Sequence, residues 1–216
     1  MTGKPTIAIL GGTGHEGTGL ALRWATNGYD VIIGSRKEEK ALKVTDELNG
    51  ILGKDLIRGM ENGAAAREAD INILTVVASA HQAALSGLKD DLQGKILIDA
   101  TARIKFPNPK PPEPPSAARV AQDILGEGVR VVAAFQNIPA SVLKDLDKKL
   151  DSDVLVCADH REDADRAGEL IRGAGLNAFY VGDLDMAITV EGLTAVLVYL
   201  NKYNDIKHAS IKIVGS

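Results

Sequence analysis

Short runs of apolar, largely β-branched residues recur along the chain, separated by helical segments and by glycine-rich or charged connections. The runs "TIAIL", "DVIIG", "INILTVV", "KILIDAT", "VRVVAAF", "DVLVCAD" and "AFYVG" are almost continuously apolar. Strands with one face in water alternate apolar and polar residues, so this pattern predicts strands covered by helices on both faces. Strands alternating with helices then predict an α/β fold, a Rossmann-type doubly wound, mainly parallel sheet with a small C-terminal α/β extension. Two segments interrupt the rhythm. The proline-rich "KFPNPKPPEPPSAAR" blocks both helix and inner strand, and reads as a surface loop beside the carboxyl edge of the sheet. A last helix near residues 185–203 leads into "ASIKIVGS".

The first unit carries the strongest motif. Directly after "TIAIL" stands Gly12-x-Gly14-x-x-Gly17, and the motif opens the helical "EGTGLALRWATNG". In that context the three glycines act differently. Gly12 permits the tight turn, Gly14 lets backbone approach a pyrophosphate, and Gly17 lets the helix pack on the strand. The helix N-terminus adds unpaired amides and positive dipole. A dinucleotide site over Gly12, Thr13, Gly14, His15, Glu16 and Gly17 is expected. At the end of the second strand an NAD site would place a carboxylate to grip the ribose hydroxyls. The chain reads "GSRKEEK" there. Ser35 and Arg36 can hydrogen-bond a 2′-phosphate, and Lys37 and Lys40 can add charge, so NADP(H) is expected over NAD(H).

Composition narrows what else is open. A chain of 216 residues supports one compact unit, and a net charge of −4 lacks the basic excess that nucleic acid binding requires. Cys157 is the only cysteine, which excludes an internal disulfide and a cysteine-rich zinc site and fits a reduced compartment. His15, His81, His160 and His208 have no metal-ligand spacing. No apolar run is long enough for a bilayer, and no signal peptide is read at the start, so a cytoplasmic protein is expected. Tyr203-x-x-x-Lys207 matches the catalytic pair of short-chain dehydrogenases, but only nine residues follow it; a surface helix end is the simpler reading. No nucleophile elbow for a hydrolase is present.

The stretches "IAILGGTGHEGTGLALRWA", "VIIGSRKEEKA", "LIDAT", "VVAAFQNIPAS" and "KHASIKIVGS" resemble the NADPH-dependent F420 reductases, the F420:NADP oxidoreductases, nearly end to end. The resemblance implies an NADP-binding Rossmann domain over residues 1–137 and a small C-terminal portion over 138–216 for the second coenzyme and for dimerisation. It implies an enzyme that moves a hydride between NADP(H) and the deazaflavin coenzyme F420, with small-molecule coenzymes and a second copy of the chain as its partners. Such chemistry asks mainly for positioning of donor and acceptor carbons. Expected lining lies at strand carboxyl ends: Thr75, Val76, Val77 and Ala78, then Ala100, Thr101 and Ala102, then Phe135, Gln136, Asn137, Ile138 and Pro139. No acid or base is assigned, and His81, Gln136 and Asn137 are candidates for positioning. Arg103, Lys105, Lys110 and Lys207 are candidate partners for an anionic coenzyme tail. Ile188 stands where family members commonly carry Arg, and Gln136 where His or Asn is common. Two alternatives therefore stay open: a reductase of another flavin or electron carrier, and a non-catalytic NADP(H)-binding sensor.

Overall fold

The computed structural model describes residues 3–105 and 107–215. In chain order its elements are β1 (Ile7–Leu10), α1 (His15–Thr26), β2 (Val31–Ser35), α2 (Glu38–Leu52), β3 (Ile57–Glu61), α3 (Asn62–Glu68), β4 (Ile71–Leu74), α4 (His81–Leu88), β5 (Ile96–Asp99) and α5 (Ala117–Leu125). Then come β6 (Arg130–Ala133), α6 (Ala140–Leu143), β7 (Asp153–Ala158), α7 (Arg161–Gly173), β8 (Asn177–Gly182) and α8 (Ala187–Tyr203). The strands form one sheet in the order β3-β2-β1-β4-β5-β6-β7-β8. All neighbours are parallel except β6 and β7.

The order reverses between β1 and β4, and this topological switch point opens a crevice at the carboxyl ends of the strands, where open α/β sheets bind ligands. The near-continuous apolar runs follow from two covered faces. In β1, Ile7 and Ile9 pack with Leu20 and Trp24 on one side, while Ala8 and Leu10 pack with Ala65 and Leu85 on the other. Trp24 is fully buried, its ring edge-on to Phe135 at 6.1 Å and its Nε1 donating to the Leu170 carbonyl at 2.8 Å. One side chain thus joins α1 to α7 and to the end of β6.

Strand β3, "IRGME", is absent from the apolar runs that the sequence pattern picks out. It is the edge of the sheet, only its first residue is buried, and Gly59 is needed because a Cβ there would lie 2.8 Å from the backbone of Ala41 and Leu42 on α2. The C-terminal extension is not a separate layer. Its β7 and β8 continue the same sheet, and Asn137 fastens the joint: Nδ2 donates to the Asp153 carbonyl at 2.7 Å and Oδ1 accepts from the Leu155 amide at 3.2 Å. Residues after α8 return to this joint. The Asp153 amide donates to the Ile211 carbonyl at 2.9 Å, and its carboxylate accepts from the Ile213 amide at 2.7 Å. Burial alone would raise the Asp153 pKa, but bonds from Ile213, Asn177 and Lys212 hold it below its ordinary value.

Candidate functional site

The glycine loop has the geometry its sequence implies. A Cβ on Gly12 would lie 2.5 Å from the Ile9 carbonyl, and one on Gly17 would lie 2.6 Å from Gly12 Cα, so both positions are closed to side chains by the turn and by helix packing. Gly14 is different: a Cβ there meets nothing within 4 Å. It is the N-cap of α1, without a side-chain cap, so the first-turn amides of the helix have no capping partner. Thr13 is half-buried and His15 exposed beside it. Gly11, in the left-handed region at φ +68°, carries the turn, and its amide donates to Asn62 Oδ1 at 3.0 Å. Asn62 carries no sequence signal for this part, because the contact spans the chain from α3 to β1.

At the end of β2, Ser35 is buried, and the Lys37 amide donates to its Oγ at 3.3 Å. Arg36, Lys37 and Lys40 are exposed, and none takes part in an ion pair among the described residues. Glu61 is the register partner of Ser35 across β3, but its carboxylate accepts from the Gly63 amide at 2.7 Å. The cationic end of β2 therefore faces no carboxylate that is free to take its place on a ribose.

Beyond the loop lies a cavity of about 230 Å³ lined by Glu16, Val76, Val77, Ala78, Ala100, Thr101, Ala102, Ile104, Phe135, Gln136, Ile138 and Thr194. It gathers the expected ends of β4, β5 and β6. It also takes Ile104 from the proline loop and Thr194 from α8, two residues that the strand-end rule does not reach. Phe135 holds its place with φ at 76°, a region L side chains rarely adopt. Two polar atoms in this lining are buried without a hydrogen-bond partner among the described residues, Thr101 Oγ1 and Gln136 Oε1. Buried polar atoms are normally paired, so these two mark where a polar ligand edge would fit.

Glu16 enters the cavity from the first turn of α1, open to it but otherwise surrounded by protein. Burial, and next the charge of Asp99, push its carboxyl from 4.5 up to about 8. The fold thus holds a proton that the unfolded chain releases, and stability falls as pH rises between those two values.

Other expected positions lie apart from the cavity. His81 is 2% exposed and its Nε2 sits 2.6 Å from Asp99 Oδ2; the ring is committed to the protein, with Asp99 Oδ1 accepting the Thr101 amide at 2.9 Å. His81 therefore does not line the cavity, and its connection to it runs through Asp99. Asn137 faces the β7 joint, Pro139 caps α6, and Thr75 donates from its amide to the Leu10 carbonyl at 3.1 Å. None of these three is among the lining. Arg103 is not a free cation: its Nε donates to Glu191 at 2.9 Å and its Nη2 to the Glu113 carbonyl at 2.9 Å. Glu191, 1% exposed on α8, also accepts the amides of Arg103 and Ala117. This one buried carboxylate pins both ends of the proline loop to α8. Among the described residues of the C-terminal segment, 207–215, none lines the cavity; His208 meets Ser141 at 2.7 Å and Ser210 meets Ser152 at 2.7 Å. Lys105, Lys110 and Lys207 are exposed.

A larger hollow, about 400 Å³, lies among Gln122, Arg130, Asp159, His160 and Asp163, by the amino end of β6 and the carboxyl end of β7. Its arginine is already paired with Glu162 and Asp163, and it stands away from the switch point. Cys157 is buried, its thiol pushed up to about 12 by burial and then by Asp183, which makes it unreactive.

A sequence model of the family described as "NADP oxidoreductase coenzyme F420-dependent" matches residues 6–103. The F420-dependent NADP reductase of Methanothermobacter marburgensis is 41% identical over 97% of this chain and 98% of its own length. That of Methanocaldococcus jannaschii is 38% identical, covering 97% of this chain and 98% of its own. Among solved structures, that of an Arthrobacter sp. FB24 protein superposes with a TM-score of 0.83, covering 98% of this chain and 100% of that one; at 23% identity this is a likeness of fold.

Proposed function

Because this chain belongs to the family of F420-dependent NADP reductases, we propose that it is the enzyme that transfers a hydride between NADP(H) and the deazaflavin coenzyme F420. The observation that carries the site assignment is the cavity beside the glycine loop, walled by small apolar residues and holding unpartnered Thr101 Oγ1 and Gln136 Oε1. The residues fit both coenzymes. The amides around Gly14 and the open space over them suit a pyrophosphate, and Ser35, Arg36, Lys37 and Lys40 suit a 2′-phosphate. Val76, Val77, Ala78, Ala100 and Ala102 offer flat apolar walls to ring faces.

Both coenzymes, when bound, are hydride carriers and supply the redox chemistry themselves. The protein's contribution is to align and to keep water out. Gln136 is fixed by its Nε2 bond to the Asp99 carbonyl at 2.8 Å, and Thr194 Oγ1 donates to the Gln136 carbonyl at 2.8 Å. His81 acts through Asp99, which holds the Thr101 amide, and is a positioning residue. The same proposal gives NADP(H) binding to residues 1–137, and the acceptor side and a dimer contact to residues 138–216, a reading supported by the presence of Ile138 and Thr194 in the cavity lining. Anaerobic mixing with NADPH and oxidised F420 is expected to bleach the visible absorbance of the deazaflavin. No bleaching at any pH from mildly acidic to mildly basic would remove F420 as acceptor and promote another flavin or electron carrier.

A homodimer is part of the same proposal. Val196, Leu200 and Tyr203 on α8 form one exposed stripe at helical spacing, and β8 leaves Phe179 and Tyr180 partly exposed at the sheet edge. Sedimentation at micromolar concentration is expected to give twice the chain mass, and a monomer there would sink the dimer. The cytoplasm is the proposed compartment, supported by the buried free thiol of Cys157; no described helix is long and apolar enough to cross a membrane.

A further inference from the structure

Glu16 is the only ionisable side chain among the residues that line the cavity. It makes no hydrogen bond or ion pair among the described residues, and it shares the cavity with Thr101 and Gln136, each more than nine-tenths buried and each with an unpartnered oxygen. Of the remaining wall only Thr194 is polar, its hydroxyl committed to the Gln136 carbonyl, and the rest is apolar, Val76, Val77, Ala78, Ala100, Ala102 and Ile138 among it. A charge on Glu16 thus has no ion-pair partner in the cavity, and a ring placed there would feel it at an effective dielectric below that of water. The nicotinamide ring is cationic when oxidised and neutral when reduced. We propose that Glu16 sets the redox-state preference of this site, its ionised carboxylate favouring NADP⁺ over NADPH and its protonated form leaving the two undistinguished. The inference rests on the reading that the cavity receives the nicotinamide.

The geometry makes the preference pH-dependent in a definite sense. Burial and the neighbouring Asp99 hold the carboxyl neutral up to about pH 8, so the preference is absent in mild acid and develops as pH rises through that value. Other charged groups on the enclosing elements are few. His15 precedes Glu16 on α1 and is exposed; Asp99 ends β5 and is paired with His81 of α4; Arg103 is paired with Glu191 of α8; Lys105 is exposed on the proline loop. All of them remain in a Glu16→Gln protein, which removes only the ionisation of residue 16. The 2′-phosphate titrates in both NADP⁺ and NADPH and cancels from their ratio.

The test is equilibrium binding of NADP⁺ and NADPH separately, by calorimetry or protein fluorescence, from about pH 6 to about pH 9.5, a span that brackets the Glu16 midpoint. For the unaltered protein the ratio Kd(NADPH)/Kd(NADP⁺) is expected to rise about tenfold, the change that accompanies a one-unit shift of the Glu16 pKa on binding the cation. For Glu16→Gln the ratio is expected to stay flat across the whole pH span, and its thermal midpoint without ligand reports whether the fold is intact. A flat ratio in the unaltered protein, or the same rise in Glu16→Gln, would overturn the role of Glu16 while leaving the dinucleotide site standing. Failure of the unaltered protein to bind either dinucleotide would remove the site assignment and this inference with it.

Discussion

A Gly14→Val protein is expected to fold as the unaltered chain does and to lose NADPH affinity by at least about 100-fold, about 2.7 kcal/mol. The two halves of that expectation come from the same geometry. Gly14 has φ −86° and ψ 178°, extended backbone that a β-branched residue adopts readily, and a Cβ there meets no protein atom within 4 Å. Nothing in the protein resists the side chain. The open space is instead where a pyrophosphate must approach the first-turn amides of α1, and two methyl groups would occupy it. Gly12 and Gly17 supply the contrast. Alanine at either would push a methyl to within 2.6 Å of backbone, so those variants are expected to lose stability first and binding as a consequence. Thermal midpoints with NADPH titrations separate the cases: a Gly14→Val protein that bound NADPH normally would show that the phosphates do not lie over this loop.

That contrast also explains why the glycine loop is legible in the sequence. Its function resides in backbone geometry, and glycine is the residue type that encodes such geometry directly. The same holds for β1, β2, β4 and β5, whose apolar runs follow from burial on both faces. Strand β3 escapes because an edge strand has little to bury: "IRGME" carries an arginine and a glutamate, and its glycine exists to admit α2. The antiparallel turn-back of β7 is equally hidden, since its specification lies in Asn137 clasping Asp153 and Leu155. No local pattern distinguishes that asparagine from a ligand-facing one, and the strand-end rule assigns it to the site.

The candidate site divides in the same way. Val76, Val77, Ala78, Ala100, Thr101, Gln136 and Ile138 follow from the rule that ligands lie at strand carboxyl ends, and all of them line the cavity. The rule gives position along a strand but not the direction in which a side chain points. His81 is just past β4 as expected, yet its ring turns inward to Asp99, eighteen residues on. Arg103, expected to offer a free charge, is held by Glu191, eighty-eight residues away. Thr194 enters the lining because Glu191, one turn before it, binds the proline loop to α8. Such long-range polar contacts decide which residues of a site are free to meet a ligand. They appear only when the chain is folded.

Replacement of Arg36 by Ala is expected to weaken NADPH binding by about 1.5–3 kcal/mol, the range for a hydrogen bond to a charged group, and to leave NADH binding nearly unchanged. Arg36 follows the buried Ser35 at the end of β2, is exposed, and forms no ion pair among the described residues, so its guanidinium is uncommitted. Glu38 and Glu39 sit in the first turn of α2, where the helix dipole already favours them. Glu61, the carboxylate nearest in register, is occupied by the Gly63 amide. With no carboxylate available to the ribose hydroxyls and a forked cation available to a phosphate, the discrimination arises from the phosphate alone. Arg36→Lys should keep part of it, because a point charge replaces two directed donors. The NADPH advantage should also shrink as salt is raised, since the pair is exposed to solvent. Fold stability should change little at so exposed a position. Equal losses of NADPH and NADH in Arg36→Ala would mean that the guanidinium meets a part common to both dinucleotides, and the 2′-phosphate would then have to be recognised by Ser35, Lys37 or Lys40 instead.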